Sequence, residues 1–465
     1  MNAIILSALC GVVMMFTGIF TQNKNTIKNV AVAALLVLLL GNIFNSYSIL
    51  NVDVKGMLQF TTFGLYFNTL AFFITLIYFL LSGDEIAKVG NYSAEYFALI
   101  FFTLCGVSIL TSFNNLLMLF LGIEILTLPL FILTGADKKN LKSNEAALKY
   151  FLMGTFSTGI LLMGIALLYG NAGNFSITPF AGKKVGVMEG LTDYGILNPL
   201  GLLFIFIALL FKTSAAPFHF WAPDVYDGAP TVFTSFMATV VKAAGFMAFI
   251  ILFQSRITEF GPTAKILIPA IIILTLFTGN ITAVFQQSVK RMMAYSSIAQ
   301  AGFMLFVLYG NNDVSNEGIL IYTLAYSFAT IGVFAILAKM EDYTLDGFNG
   351  LAKKQPVLAA TNAVFLLSLA GIPLTAGFFA KYYMLLSAIK THGHYAIWLV
   401  IIAVLFAAVS VYYYFRVIQA MYFKEGEAVT TAQPKQSFKI ALIILAALII
   451  LLGVFPSLAL NGFYF

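Results

Sequence analysis

Residues 209–224 read LLFKTSAAPFHFWAPD, and residues 367–385 read LSLAGIPLTAGFFAKYYML. Each is an apolar run interrupted by proline, with a lysine beside the interruption: Lys212 before Pro217, and Lys381 after Pro373. Proline removes a backbone donor and clashes with the preceding turn, so a helix breaks or bends there. Gly371 and Gly377 loosen the second stretch further. Backbone freed at membrane depth is tolerated only where protein or water satisfies it. Two interrupted helices in the two halves of one membrane chain point to a repeat transporter with ion sites at its centre. An ordinary proline kink is the plain alternative; the lysine beside each break weighs against it.

The rest of the chain supplies the membrane. Of 465 residues, 61% are hydrophobic and 9% charged, with a mean hydropathy of +0.95, where soluble domains run at about 45–50% apolar and about 25% charged. Most apolar runs exceed the ~18 residues that mark a span. They are continuous rather than alternating, which selects helices over a barrel. Fourteen helices are expected, near 3–20, 29–50, 57–82, 93–111, 114–134, 145–170, 198–221, 229–254, 263–284, 291–309, 317–339, 356–389, 395–422 and 437–461. The fold class is an all-α polytopic membrane protein, with the seventh and twelfth helices broken. The N-terminus lacks the basic start and cleavage site of a signal peptide, so the first span is expected to be retained.

This composition excludes a soluble enzyme and a disordered chain. The net charge of +6 is no nucleic-acid signal, because the basic residues lie in short loops between spans. Those loops orient the chain. If the loop after the first span is cytoplasmic, cytoplasmic loops carry fifteen Lys and Arg residues against six on the other side. Both termini are then expected on the non-cytoplasmic side. Cys10 and Cys105 lie in apolar runs with no metal-site spacing. Three scattered histidines give no haem or iron–sulfur ligation.

The remaining lysines, Lys149, Lys212, Lys242 and Lys381, fall inside spans, as does Glu124 in the fifth. A charge at mid-bilayer costs at least about 2.5–3.5 kcal/mol. Snorkelling from a helix end is the simpler explanation for Lys149, about a turn inside the sixth span and four residues after Glu145. It fails for Glu124 and Lys242, which lie about ten residues from either end. His219, among aromatics in PFHFW, fits either a hydrogen-bonded core residue or a proton relay. Desolvation lets a buried lysine lose its proton, and a nearby carboxylate opposes that loss. A series Glu–Lys–Lys–Lys is therefore a relay for H⁺; lysine offers no oxygen to Na⁺. Glu124 is expected within about 4–7 Å of Lys212, close enough to modulate its proton affinity.

NNLLMLFLGIEILTLPLFILTG (114–135), SNEAALKYFLMGTFSTGILLMGIALLYG (143–170), PFHFWAPDVYDGAPT (217–231), NITAVFQQSVKRMMAYSSIAQAGFM (280–304) and GIPLTAGFFAKYYML (371–385) resemble the antiporter-like subunits of respiratory complex I. That enzyme is the proton-pumping NADH:quinone oxidoreductase, and the subunits are related to the Mrp antiporters. The PFHFWAPD segment and Lys381 are similar to the N-type members rather than the L and M types, which carry PxHTWLPDA there. M also usually has a glutamate in the twelfth span. Residue by residue, the resemblance makes Glu124 the fifth-span glutamate paired with Lys212 of span seven, and Lys149 the sixth-span lysine. Lys242 becomes the central lysine of span eight, Lys381 the exit-side lysine of span twelve, and His219 part of the water path at the break.

The resemblance also implies an N-terminal three-helix segment (1–92), two inverted five-helix repeats (93–254 and 263–423) and a last helix (437–461). It implies no cofactor in this chain; NADH, flavin, iron–sulfur clusters and quinone belong to partner subunits. The expected partners are other membrane subunits, sibling antiporter-like ones included, and lipids, in a bacterial inner membrane. A Na⁺/H⁺ antiporter subunit, a membrane-bound hydrogenase subunit and a non-conducting structural subunit are the rival expectations.

Overall fold

The structure, a computed structural model, describes residues 1–44, 54–90, 92–177, 197–256, 264–391, 393, 395–431 and 433–460. His392 and His394, read from the sequence as solvated loop residues, lie outside the described residues. The described chain is helical, with only isolated bridges between extended residues. Three helices come first: α1 (Asn2–Phe20), α2 (Lys24–Ile43) and α3 (Thr62–Ile86). Next come α4 (Ser93–Leu110), α5 (Leu116–Thr134), α6 (Leu141–Ala172), α7 (Leu197–Lys212), α8 (Trp221–Gly228), α9 (Thr231–Phe236) and α10 (Lys242–Arg256). A π-helical turn, Met237–Val241, joins the last two. The second half holds α11 (Ala264–Val284), α12 (Val289–Met304), α13 (Phe306–Gly310), α14 (Asp313–Leu337), α15 (Leu351–Lys354), α16 (Pro356–Ala370), α17 (Ala376–Lys390), α18 (Ala396–Phe423) and α19 (Gln436–Val454).

Twelve segments are long and apolar enough to cross a membrane; α9, the π turn and α10 count as one of them, as do α12 and α13. The other two expected spans are in pieces. Span seven divides into α7 and α8, and span twelve into α16 and α17. At 1.5 Å per residue a span of about 20 residues matches a hydrocarbon core of about 30 Å. Helix starts follow local chemistry: the side chains of Asn115, Asn140 and Ser288 accept from the first-turn amides of α5, α6 and α12. Asn312 and Ser315 form a reciprocal capping box on α14.

Burial divides the helices. α14 is buried along its whole spanning length, and α9–α10, α12 and α4 nearly so, while α1, α2, α6, α18 and α19 turn most of their surface outward. Leu, Ile and Phe dominate the outward faces, as lipid or apolar partners require.

One end of the bundle carries most of the ion pairs. Asp84 binds Lys28 at 2.7 Å and Lys435 at 2.9 Å. Glu85 binds Lys88 at 2.8 Å and also Lys339 at the end of α14. These pairs tie α2, α3, α14 and the approach to α19 together; we call this end the lysine-rich face. Removing one partner of a buried pair leaves an uncompensated charge. Glu85→Ala is therefore expected to lower the thermal stability of the extracted protein. Glu427→Ala should not, because the Lys354–Glu427 pair is open, with Glu427 85% exposed.

Candidate functional site

Span seven stops at Lys212, five residues ahead of Pro217. The eight residues to Trp221 turn back with Ser214 at φ +56°. Several of their backbone groups are taken up by protein, while His219 Nδ1 is buried without a hydrogen-bond partner among the described residues. Ser214 N–H donates to the Phe211 carbonyl and Ala215 N–H to that of Leu210. Ala216 N–H donates to Thr275 Oγ1 of α11 at 3.0 Å, and Trp221 Nε1 to the Phe211 carbonyl at 2.9 Å. That is the condition under which broken helix survives at membrane depth.

The second break runs from Gly371 to Thr375. Gly371 (φ +84°) terminates α16 in the left-handed conformation, its N–H donating to the Leu367 and Ser368 carbonyls. Gly377 N–H donates to Ser368 Oγ at 3.1 Å. A β-carbon at Gly377 would lie 1.8 Å from the Ser368 carbonyl oxygen, so only glycine fits this approach.

Lys242 begins α10 directly after the π turn and is 2% exposed. Its Nζ donates to Ser214 Oγ (2.7 Å), Ser297 O (2.8 Å) and Ser297 Oγ (3.0 Å). The first break thus supplies one partner and α12 the others. A π turn is a frequent companion of functional sites.

Lys381 is 7% exposed and donates to the Ala370 carbonyl, the last of α16, at 2.8 Å. A cation at a helix C-terminus is favoured by the dipole. Its Nζ also stands 4.9 Å from the Phe303 ring centre. A narrow cavity beside it is lined by Gln300, Tyr322, Tyr326, Ser368 and Gly377. Gln300 accepts from Tyr322 and donates to Tyr414 (3.2 Å) and the Leu369 carbonyl (3.1 Å). Ser297 and Gln300 are one turn apart on α12, so polar groups line the way from Lys242 to Lys381.

Lys212 has its ammonium buried without a hydrogen-bond partner among the described residues. Glu124 is the charged group that acts on it through space, and the two form no direct ion pair. Instead Glu124 Oε1 accepts from Thr158 Oγ1 of α6 at 2.8 Å. His219 sits half-buried in the first break, its imidazole against the Pro217 backbone.

Lys149 lies elsewhere. It pairs with Glu145 at 2.8 Å and with Asp224 at 2.9 Å, and Asp224 also binds Arg291 at 2.9 Å. These contacts link α6, α8 and α12 toward the lysine-rich face. Asp224→Asn weakens both pairs and should therefore lower the melting temperature at pH 7.

Several residues of this site carry no charge and went unremarked in the sequence: Ser214, Ser297, Thr158, Gln300 and Tyr322. The available signal was the polar run SSIAQ (296–300) inside an apolar span. Lys290, counted from the sequence as a loop lysine, is 3% exposed. It donates to the Asp227 and Ala229 carbonyls and so caps α8.

Known proteins share this architecture. Residues 113–410 match the family model described as NADH:quinone oxidoreductase/Mrp antiporter, TM. The chain is 39% identical to the NADH-quinone oxidoreductase subunit N of Cytophaga hutchinsonii, over 99% of each chain. Among solved structures it is similar to a chain of respiratory complex I from Thermus thermophilus (29% identity, TM-score 0.80, 99% of this chain and 98% of that one). The fold alone is shared with a chain of the Mrp complex from Dietzia sp. DQ12-45-1b (17% identity, TM-score 0.82, 99% and 96% covered). With its broken helices, its buried lysines and near-full-length likeness to these relatives, the chain belongs to the subunit N family of the NADH-quinone oxidoreductases, within the larger NADH:quinone oxidoreductase/Mrp antiporter family.

Proposed function

We propose that this chain is a proton-translocating, antiporter-like membrane subunit of an NADH:quinone oxidoreductase, moving H⁺ through Glu124, Lys212, Lys242 and Lys381. One observation carries the reading. Lys242, at the meeting of the first break and α12, is 2% exposed and has three hydrogen bonds and, among the described residues, no carboxylate partner. An ammonium so held costs several kcal/mol to bury, and losing its proton relieves that cost. Hydroxyls on two sides of it can receive or supply that proton.

Glu124 sets the state of Lys212. With Glu124 ionised nearby, the Lys212 ammonium is favoured; with Glu124 neutral or turned away, the proton leaves. Thr158 fixes the carboxylate on the α6 side. Lys381, held at the end of α16, is the exit-side group, reached through Ser297, Gln300 and the cavity at Tyr322. His219 lines the first break, and Lys149 acts at the edge of the relay, within its carboxylate pairs. The two breaks, each beside a lysine, support inverted repeats over 93–254 and 263–423. The lysine-rich face is cytoplasmic, which puts both termini on the other side of the bacterial inner membrane.

Donor oxidation and quinone reduction belong to partner subunits, which hold the flavin and iron–sulfur clusters; this chain carries no prosthetic group. Its outward apolar faces meet sibling membrane subunits and lipid. Proton uptake per NADH in membrane vesicles tests the relay. Glu124→Gln should cut uptake several-fold at equal complex content, and Glu124→Asp should keep part of it. Full uptake with Glu124→Gln would remove Glu124 from the path.

A further inference from the structure

The lysine-rich face holds a cleft of about 720 Å³, with Glu85, Asp137, Asp227, Thr231, Lys290 and Asp342 in its wall. Beneath it α3, α9 with its π turn, and α14 pack together. Tyr78 of α3 stacks on Phe236 at 5.4 Å, its hydroxyl donating to the Val232 carbonyl at 3.1 Å, and Phe73 meets Phe328 edge-on at 6.0 Å. Six hydroxyls in these three helices are buried with no hydrogen-bond partner among the described residues: Ser82, Ser235, Thr323, Tyr326, Ser327 and Thr330. Each of these residues is at most 4% exposed.

Such orphans are rare in a folded interior. They are more telling here because helical Ser and Thr have an easy alternative, the carbonyl four residues back. Thr75, Ser108, Thr127, Thr134 and Thr239 all take it. The orphaned Ser and Thr hydroxyls of the seam do not. Thr323, Ser327 and Thr330 form one stripe at i, i+4 and i+7 on α14. The Tyr326 hydroxyl faces both Thr330 and Ser297, and Ser297 holds Lys242.

Depth completes the ladder. Counting 1.5 Å per residue from the helix ends at the cleft, Ser82 and Ser235 lie about 6 Å in, Thr330 about 10 Å, Ser327 about 15 Å and Lys242 about 16 Å, while Thr323, about 21 Å in, lies past Lys242. Unpaired, buried polar groups along one helix seam are what ordered water needs.

We propose that this seam between α3, α9 and α14 is a second proton intake route, carrying water-borne protons from the cleft to Lys242 alongside the path through Glu124 and Lys212. Each hydroxyl accepts one hydrogen bond and donates the next. The proton that arrives at one end is matched by the proton passed to the neutral Lys242 amine at the other, and no seam group keeps a charge. The inference rests on the relay reading of Lys242.

Cysteine accessibility in the assembled complex tests it, with Cys10 and Cys105 replaced by serine. Ser235→Cys and Ser327→Cys, on two different helices, are treated with methanethiosulfonate-ethylammonium from the lysine-rich face. The control is Ala329→Cys, about 12 Å in by the same count and so between the two in depth, but off the stripe and equally buried. Buried apolar thiols are inert, so the seam positions should react at least about ten-fold faster than the control. Modification should then lower proton uptake per NADH relative to the same sample before treatment. Seam thiols as slow as Ala329→Cys, or modified with unchanged uptake, would overturn the route. Should one variant not assemble, the other decides. Slow seam thiols alongside a non-pumping Lys242→Ala complex would remove the route and leave the relay, whereas a pumping Lys242→Ala complex would remove the relay itself.

Discussion

Gly377→Val is expected to abolish assembly of the complex. The β-carbon alone would lie 1.8 Å from the Ser368 carbonyl oxygen, and both groups belong to backbone that cannot swing aside. Ordinary overpacking costs about 1–3 kcal/mol, and a clash between main chains at a helix break exceeds it. The change would also separate α17 from α16, whose last carbonyl holds Lys381. Quantifying the complex in membranes by native electrophoresis checks this. The comparison is Gly170→Val, where a β-carbon meets nothing within 4 Å and the complex should form normally. Normal assembly of Gly377→Val would mean the second break is not as described.

Lys242→Arg is expected to lower coupled turnover by about ten-fold or more while the complex still assembles. Charge is preserved, but arginine does not give up its proton at any physiological pH. Its planar fork also does not match a site built for one nitrogen with partners at 2.7, 2.8 and 3.0 Å. If these charges merely held helices together, the conservative change would preserve pumping. NADH-driven quinone reduction and proton uptake measured on the same vesicles distinguish the two, and full pumping by Lys242→Arg would favour the structural role.

The spans were legible because a bilayer demands about 20 apolar residues whatever the tertiary packing. Pro217 and Pro373 marked the breaks for an equally local reason. Where the chain departs depended on the surroundings: α7 ends at Lys212, well before its proline, because Thr275 and Trp221 take up the freed groups. The π turn at Met237–Val241 had no signal, since MATVV suits an α-helix equally well. Lys242 stood out as a charge in an apolar run, but its partners did not, because Ser214 and Ser297 are remote in sequence and unremarkable in type. Lys149 was ambiguous between snorkelling and function. Its pairing with Asp224, 75 residues on, is a tertiary fact that no local pattern encodes. Lys290 was counted as a loop charge, whereas it lies in the first turn of α12 and turns inward to cap α8.

The most direct test of the relay is the proton-to-electron ratio of a Lys242→Ala complex, measured in sealed vesicles with complex content determined on the same preparation. The account predicts an assembled complex with sharply reduced proton uptake per NADH, because the one nitrogen that joins Ser214 of the first break to Ser297 of α12 is gone. An assembled Lys242→Ala complex that pumps at the normal ratio would contradict it.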